Sequence, residues 1–452
     1  MDETAQMPGR EQGAVRRWLR RMSPKGAMQR AAGAAFFIRI TNAAIAYLSQ
    51  IVMARWMGAF EYGVYVYVWT WVLLIGTVAD LGFAVAAQHF IPRYIEARDH
   101  SRIRGFIFAS RWVPAVAVTL MAVLAATSVY LLSGSIGVYL VFPLYLACLA
   151  LPPYGMTAVQ DGVARSFGWI NLGLVPPFIL RPLLLLAVML VLFAAGFALD
   201  AATAMLAALA ATWLTAIGQV VVLDRRLEKR IPKARRNTVY GVWIRSALPV
   251  LFANIFLFLI SYVGVLLLQY FRSPNEIALY YAATKVTAIV AMVHFAITAS
   301  ATHKFAAFEA AGDTPGLAKF YATSTRWTFW PSIAAAILVL VAGKPLLWLF
   351  GREFMAAYSL MFVMVAGLLV RASIGPGEQL LNMVGQQRIC AVIYAGAFAV
   401  NLVLCLAFIP PWGAMGAALA AAISIVVESV LLFLVVKSRI GIRAFVGFSG
   451  PR

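Results

Sequence analysis

The sequence predicts an all-α polytopic membrane protein, with twelve transmembrane helices in two six-helix bundles around a central cavity. Three observations carry that prediction. Of 452 residues, 63% are hydrophobic and 12% are charged, about half the charged share of an average soluble domain. The apolar residues come in runs of about 20 or more, enough to cross a bilayer as a helix and without the alternation of a barrel strand. The 37 Lys and Arg exceed the 17 Asp and Glu to give a net charge of +20, and most fall in alternate loops and the two tails. That placement follows the positive-inside rule, so topology and contact with anionic lipids account for the charge and nucleic acid has no part in it.

The chain opens with a basic segment, 1–32. Its stretch "AVRRWLRRMSPKGAMQRA" is partly amphipathic and lacks a cleavable apolar core, so it reads as a cytoplasmic helix lying in the membrane interface. Spans follow near 33–55, 63–90, 106–132, 136–157, 168–196 and 199–223, making a first bundle over 33–223. The loop "DRRLEKRIPKARRN", seven basic residues in fourteen, lies in a linker over 224–241. Spans near 242–271, 276–304, 318–342, 354–383, 387–410 and 412–438 make a second bundle over 242–438, and a tail over 439–452 ends the chain. Both termini are expected in the cytoplasm.

Sliding the chain by 215 residues sets "FEYGVYVY" over "NEIALYYA", matching Glu61 with Glu276 and Tyr65 with Tyr280. A parallel repeat of this kind suits alternating access. Pro152 and Pro153 are expected to end span four, Pro176 and Pro177 to interrupt span five, and "GPGE" (375–378) to interrupt span ten. Broken backbone at membrane depth is tolerated where protein or a wet cavity satisfies it, ordinary proline kinking being the alternative.

Ionisable residues inside the spans mark the candidate site. In span one, Arg39, Asn42, Ser49 and Gln50 share one helix face. Lipid would cost the arginine about 2.5–3.5 kcal/mol, so the stripe favours a cavity over snorkelling to the nearby interface. Arg181 lies roughly 20 Å into span five, too deep to snorkel, between Pro177 and Pro182. Lys285 in span eight shares a face with Tyr281 and either lines the cavity or reaches an interface. Arg371 in span ten either lines the cavity or pairs with Glu378. Asp80, Glu428 and His294 are candidate ion-coupling groups, with counter-ion roles for the carboxylates and packing for the histidine as the plainer alternatives. The cationic surplus fits an anionic cargo, since phosphate or diphosphate takes charge-assisted hydrogen bonds from guanidinium groups. Cys148, Cys390 and Cys405 lie in apolar segments, and neither these nor the histidines show metal spacing, so no metal or cofactor is expected.

"ARWMGAFEYGVYVY" (54–67), through Arg55, Gly58, Tyr62 and Gly63, and "QLLNMVGQQR" (379–388) resemble motifs of bacterial oligosaccharide and polysaccharide flippases. The resemblance implies a non-enzymatic carrier of a polyprenyl-diphosphate-linked glycan in the bacterial inner membrane, serving lipopolysaccharide O-antigen or related surface polysaccharide. A polysaccharide polymerase and glycosyltransferases would be its partners. The rivals are a lipid II flippase, which usually adds two spans, and a multidrug antiporter, which usually has a carboxylate in span one. A membrane polymerase or ligase would carry a sizeable outer loop, and every outer loop here is short.

Overall fold

The structure, a computed structural model, describes residues 24–232, 234–446 and 448–451, with side chains from Thr41 onward apart from short interruptions. Among these residues ten helices are long and apolar enough to cross a membrane. Two of them, Ala44–Glu96 and Gln387–Ile440, run for 53 and 54 residues, about 80 Å of helix against a hydrocarbon core of about 30 Å. Each folds back on itself at a glycine. Gly58 (φ 75°, ψ 171°) and Gly413 (φ 56°, ψ −131°) leave helical geometry. The Tyr62 hydroxyl then donates to Gln50 Oε1 at 2.8 Å, across positions that a straight helix would hold about 18 Å apart. The ten helices therefore make the twelve expected crossings.

Span one and most of span two form Pro24–Ala79, and span two finishes as Phe83–Glu96. Of the expected interfacial helix, residues 14–23 lie outside the described residues, and the backbone from Pro24 is one helix with span one. Span three is His100–Leu132, capped by Asp99. Span four, Val138–Ser166, passes through Pro152 and Pro153 without ending. Span five is interrupted where the prolines foretell: Ile170–Val175 gives way to a π turn, Pro176–Leu180, and resumes as Arg181–Ala194. Span six, Ala201–Arg230, carries its helix well into the basic linker.

In the second bundle, spans seven, eight and nine are Tyr240–Phe271, Pro274–Ala310 and Thr314–Val341. A short helix, Gly343–Phe350, and a 3₁₀ turn, Arg352–Ala357, precede span ten, Tyr358–Ile374, which breaks at Gly375–Pro376 and continues as Gly377–Met383. Spans eleven and twelve share Gln387–Ile440. The tail, expected only as an extension, pairs Ile442–Phe445 antiparallel with Phe448–Pro451. The even number of crossings returns the chain to a basic end and leaves the far end to the turns near Gly58, Gly137 and Gly413, where basic residues such as Arg55 and Arg272 are matched by Glu61, Glu276 and Glu353.

The faint repeat in the sequence has a structural counterpart. Glu61 Oε2 accepts from the Ala201 amide at 2.8 Å, at the start of span six. Glu276 Oε2 accepts from the Ala414 amide at 2.7 Å, at the start of span twelve. In each bundle a carboxylate satisfies amides that a helix N-terminus leaves unpaired, where the helix dipole also favours negative charge. Tyr65 and Tyr280, the other matched pair, are both buried.

Gly413 sits where this capping and a reversal coincide, since a Cβ there would overlap the Glu276 carboxylate. Gly413→Ala is expected to cost about 1–3 kcal/mol, through backbone strain and loss of the cap. Gly385→Ala, at φ 79° with open space around it, should cost about 1 kcal/mol. Thermal unfolding of the purified variants measures the difference; an equal loss in both would show that Gly413 is strained by its φ alone.

Candidate functional site

At the far end the turn between spans one and two joins the bundles. The Arg55 guanidinium lies 4.8 Å from the Trp348 ring, and its Nη1 donates to the Leu349 carbonyl at 3.4 Å. The reversal at Gly58 frees the Ala59 amide, which donates to Glu353 Oε1 at 2.7 Å. Tyr62 is fully buried, its ring 6.0 Å from Phe354 and 6.3 Å from Tyr281. Gly63 lies against the Pro274 carbonyl so closely that a side chain would not fit. All four residues of the first family-like motif thus take part in one seal between the bundles.

Behind the seal lies a cluster of rings with a cation on either side. Tyr65 and Trp69 stack at 6.2 Å, and Trp69 meets Tyr154 edge-on at 6.0 Å. The Arg181 guanidinium lies 5.0 Å from the Tyr154 ring and 5.8 Å from Trp69. From the other bundle, Lys285 Nζ lies 4.5 Å from the Tyr281 ring. Tyr65 is within electrostatic reach of both Arg181 and Tyr281, and Tyr262 of Lys285, Tyr281 and Tyr154. Arg181 is delivered by the π turn, whose prolines cannot complete an α ladder, so the helix restarts at this residue.

Among the described residues no carboxylate lies within ion-pair distance of Arg181 or Lys285. Ring faces stabilise a desolvated cation by up to about 2 kcal/mol without neutralising it. Both charges therefore remain available to an anion.

Arg371 is held differently. The break at Gly375–Pro376 turns Glu378 back towards it, to 3.6 Å, where a straight helix would separate the two by about 10 Å. Glu428 of span twelve, 2% exposed, approaches the same guanidinium at 3.4 Å. His294, its Nδ1 buried without a hydrogen-bond partner among the described residues, and Tyr394 lie within electrostatic reach of Arg371. Three residues read separately from the sequence, Arg371, Glu428 and His294, come together with Glu378 in one cluster, with two carboxylates to one guanidinium.

The remaining sequence candidates scatter. The side chains of Arg39 and Asn42 lie outside the described residues. Ser49 is buried and donates to the Ala46 carbonyl at 2.9 Å, within its own helix. Gln50 accepts the Tyr62 hydroxyl and so ties spans one and two together. Asp80 Oδ1 accepts from the Gly82 amide at 2.8 Å and caps a break in span two, where Gly82 packs against Ala247 of span seven. Sequence reasoning passed over Glu353 and the ring cluster. The run "YVYVWTW" (65–71) did hold a signal, since Tyr65 and Trp69 stand four residues apart on one helix face.

The chain matches the family described as polysaccharide biosynthesis protein over residues 30–302. A comparison with curated proteins finds no match. Among solved structures it is similar to an inward-facing multidrug resistance MATE family transporter of the MOP superfamily, with 14% identity and a TM-score of 0.74 over 88% of this chain and 94% of that one. It is similar to the lipid II flippase MurJ in an inward closed conformation, with 11% identity and a TM-score of 0.70 over 89% and 87%. A MOP superfamily transporter from Pyrococcus furiosus gives 16% identity and a TM-score of 0.62 over 93% and 97%. These likenesses establish the fold of MOP-superfamily transporters.

Two outcomes follow from the geometry. Arg371→Ala leaves Glu378 and Glu428 facing each other without a counter-ion and should destabilise the protein by about 3–5 kcal/mol, whereas Glu428→Gln restores charge balance and should cost far less. Thermal unfolding compares them, and a milder effect of Arg371→Ala would remove the cluster's structural role. Glu353→Ala should loosen the seal, so that a membrane-impermeant thiol reagent offered at the far end labels Tyr281→Cys several times faster than in the parent. Unchanged labelling would show that this bond does not hold the bundles closed.

Proposed function

The chain belongs to the polysaccharide biosynthesis protein family, and from that membership we propose that it flips a polyprenyl-diphosphate-linked oligosaccharide from the cytoplasmic to the outer leaflet by alternating access. One observation carries the reading: Arg181 and Lys285, from different bundles, flank a shared ring cluster, and among the described residues no carboxylate neutralises either. A diphosphate meets such cations with charge-assisted hydrogen bonds, and the rings of Trp69, Tyr154 and Tyr262 offer flat apolar faces to sugar rings. The lipid tail stays in the bilayer while the polar head crosses between the bundles. Arg39 and Asn42 extend the site along span one on this reading, with Ser49 and Gln50 bracing the helix that bears them.

The Arg371 cluster then belongs to coupling rather than to the cargo. Its excess of carboxylate, with His294 beside it, suits uptake of a proton or Na⁺ at Glu428 or Glu378, while Asp80 shapes the bend through which span two moves. The basic end and both termini face the cytoplasm of a bacterial inner membrane. Glycosyltransferases supply the lipid-linked unit and a polymerase consumes it, with lipopolysaccharide O-antigen as the representative product. The protein itself makes and breaks no covalent bond.

A multidrug antiporter shares the fold. A cationic drug, however, would be repelled by two unpaired positive groups, and that disfavours this reading. Cells lacking the protein should accumulate complete lipid-linked repeat units on the cytoplasmic leaflet. Arg181→Gln and Lys285→Gln should each reduce transport about tenfold or more while leaving membrane insertion intact, as the loss of a charge-assisted contact requires. Normal export by both variants would refute the assignment, and unpolymerised units on the outer leaflet would point instead to a polymerase.

A further inference from the structure

The basic end holds a second site of positive charge, remote from the seal and the ring cluster. A cavity of about 620 Å³ opens between the start of span three, the turn joining spans four and five, and the end of span six. His100, Phe167, Trp169, Arg226, Lys229 and Arg230 line it, and its wall includes no carboxylate. Phe167 and Trp169 stack at 5.1 Å with their planes 19° apart, and the Arg226 guanidinium lies 5.7 Å from the Trp169 ring. His100 Nδ1 is buried and has no hydrogen-bond partner among the described residues.

A neighbouring cavity of about 510 Å³ shows what an internally satisfied site looks like. There Arg111 pairs with Asp224, Glu228 adds a second carboxylate, and Arg104 donates to the Pro232 and Ile231 carbonyls. Arg236 lies 4.5 Å from the Phe108 ring. The larger cavity has no such compensation. Asp99, next to His100 in sequence, accepts from the Ser101 hydroxyl at 2.7 Å and the Arg102 amide at 3.0 Å. These bonds hold its carboxyl below the usual carboxylate range, and they commit it elsewhere. Cations in the last turn of span six complement that helix's dipole. That accounts for their charge but not for their place around a cavity whose lining holds no carboxylate and carries a stacked aromatic floor.

We propose that this cavity binds an anionic phosphate group, with Arg226, Lys229 and Arg230 on its oxygens and the Phe167–Trp169 stack receiving the group that the phosphate bears. Guanidinium and ammonium groups lining one cavity are suited to this recognition. The phosphate comes either from the headgroup of an anionic phospholipid in the adjoining leaflet or from a soluble phosphorylated compound. The site is independent of the transport reading, and its test uses no transport assay.

The test measures binding by calorimetry to the purified full-length protein in an Arg181→Gln/Lys285→Gln background, which removes the pair assigned above to a diphosphate, with three probes: pyrophosphate, short-chain phosphatidylglycerol below its micelle concentration, and short-chain phosphatidylcholine. Saturable binding of pyrophosphate or phosphatidylglycerol is expected, weakened about tenfold or more in Arg226→Gln/Lys229→Gln/Arg230→Gln. It should be unchanged in Arg104→Gln/Arg236→Gln, at the neighbouring cavity. Binding of phosphatidylglycerol alone identifies a lipid headgroup, and binding of pyrophosphate a soluble source. The three substituted side chains are exposed, so the fold should survive. Trp169→Ala, which keeps every charge, supplies a second variant and should weaken phosphatidylglycerol more than pyrophosphate. No saturable binding of either anionic probe, equal binding by the triple variant, or equal affinity for phosphatidylcholine would overturn the proposal.

Discussion

A guanidinium inside a membrane must be compensated by something, and this protein does it in two ways. In the second bundle Arg371 is held at 3.4 and 3.6 Å from two glutamates, an arrangement whose desolvation cost is offset by ion pairing. Between the bundles Arg181 meets, among the described residues, ring faces at 5.0 and 5.8 Å and no carboxylate. The first solution uses up the charge; the second shields it from lipid and leaves its hydrogen-bond donors free. This difference in compensation, more than the number of basic residues, separates a structural arginine from one that can receive an anion.

The seal at the far end adds a few polar bonds to a buried apolar core that both bundles share. Its polar bonds include one amide-to-carboxylate and one long arginine-to-carbonyl bond, beside a few ring contacts, each worth about 0.5–1.5 kcal/mol. Within each bundle, by contrast, Glu61 and Glu276 fasten a span to the N-terminus of another. On the proposed reading, parting the bundles at this end exposes part of an apolar core that both share, so a second packing of similar burial must balance it to within a few kcal/mol. The four residues of the first motif all serve this junction, so the resemblance was recorded in the parts that touch, not in the parts that would hold cargo.

Hydropathy and loop charge made the crossings legible, because burial in lipid imposes length and composition on every span directly. The breaks in spans five and ten were legible too, through Pro176, Pro177 and Pro376. Pro152 and Pro153 misled, because the helix around them tolerates the lost amide bonds and runs on. Arg371 and Glu378 were visible as neighbours seven residues apart, yet their pairing depends on a break that periodicity cannot phase. The approach of Arg181 and Lys285 to one ring cluster was not legible, since it joins residues more than a hundred positions apart. Glu353 hid in a turn whose partner, the Ala59 amide, has no side-chain signature at all.

Span eight connects the two charged regions. Lys285 and His294 stand nine residues apart, which places them about 180° around the helix and about 13 Å along it. Lys285 looks towards the ring cluster between the bundles, and His294 towards the Arg371 cluster inside the second bundle. On the proposed reading, a change of charge at Glu378 or Glu428 acts through Arg371 on His294 and on the packing of the helix that carries it. Because a packed helix shifts as a unit rather than bending locally, that shift is delivered to Lys285 and to Tyr281 beside it, which also touches Tyr62 in the seal. On the proposed reading, coupling needs no long relay of residues. One rigid helix, with the cargo on one face and the ion-sensitive cluster on the other, suffices.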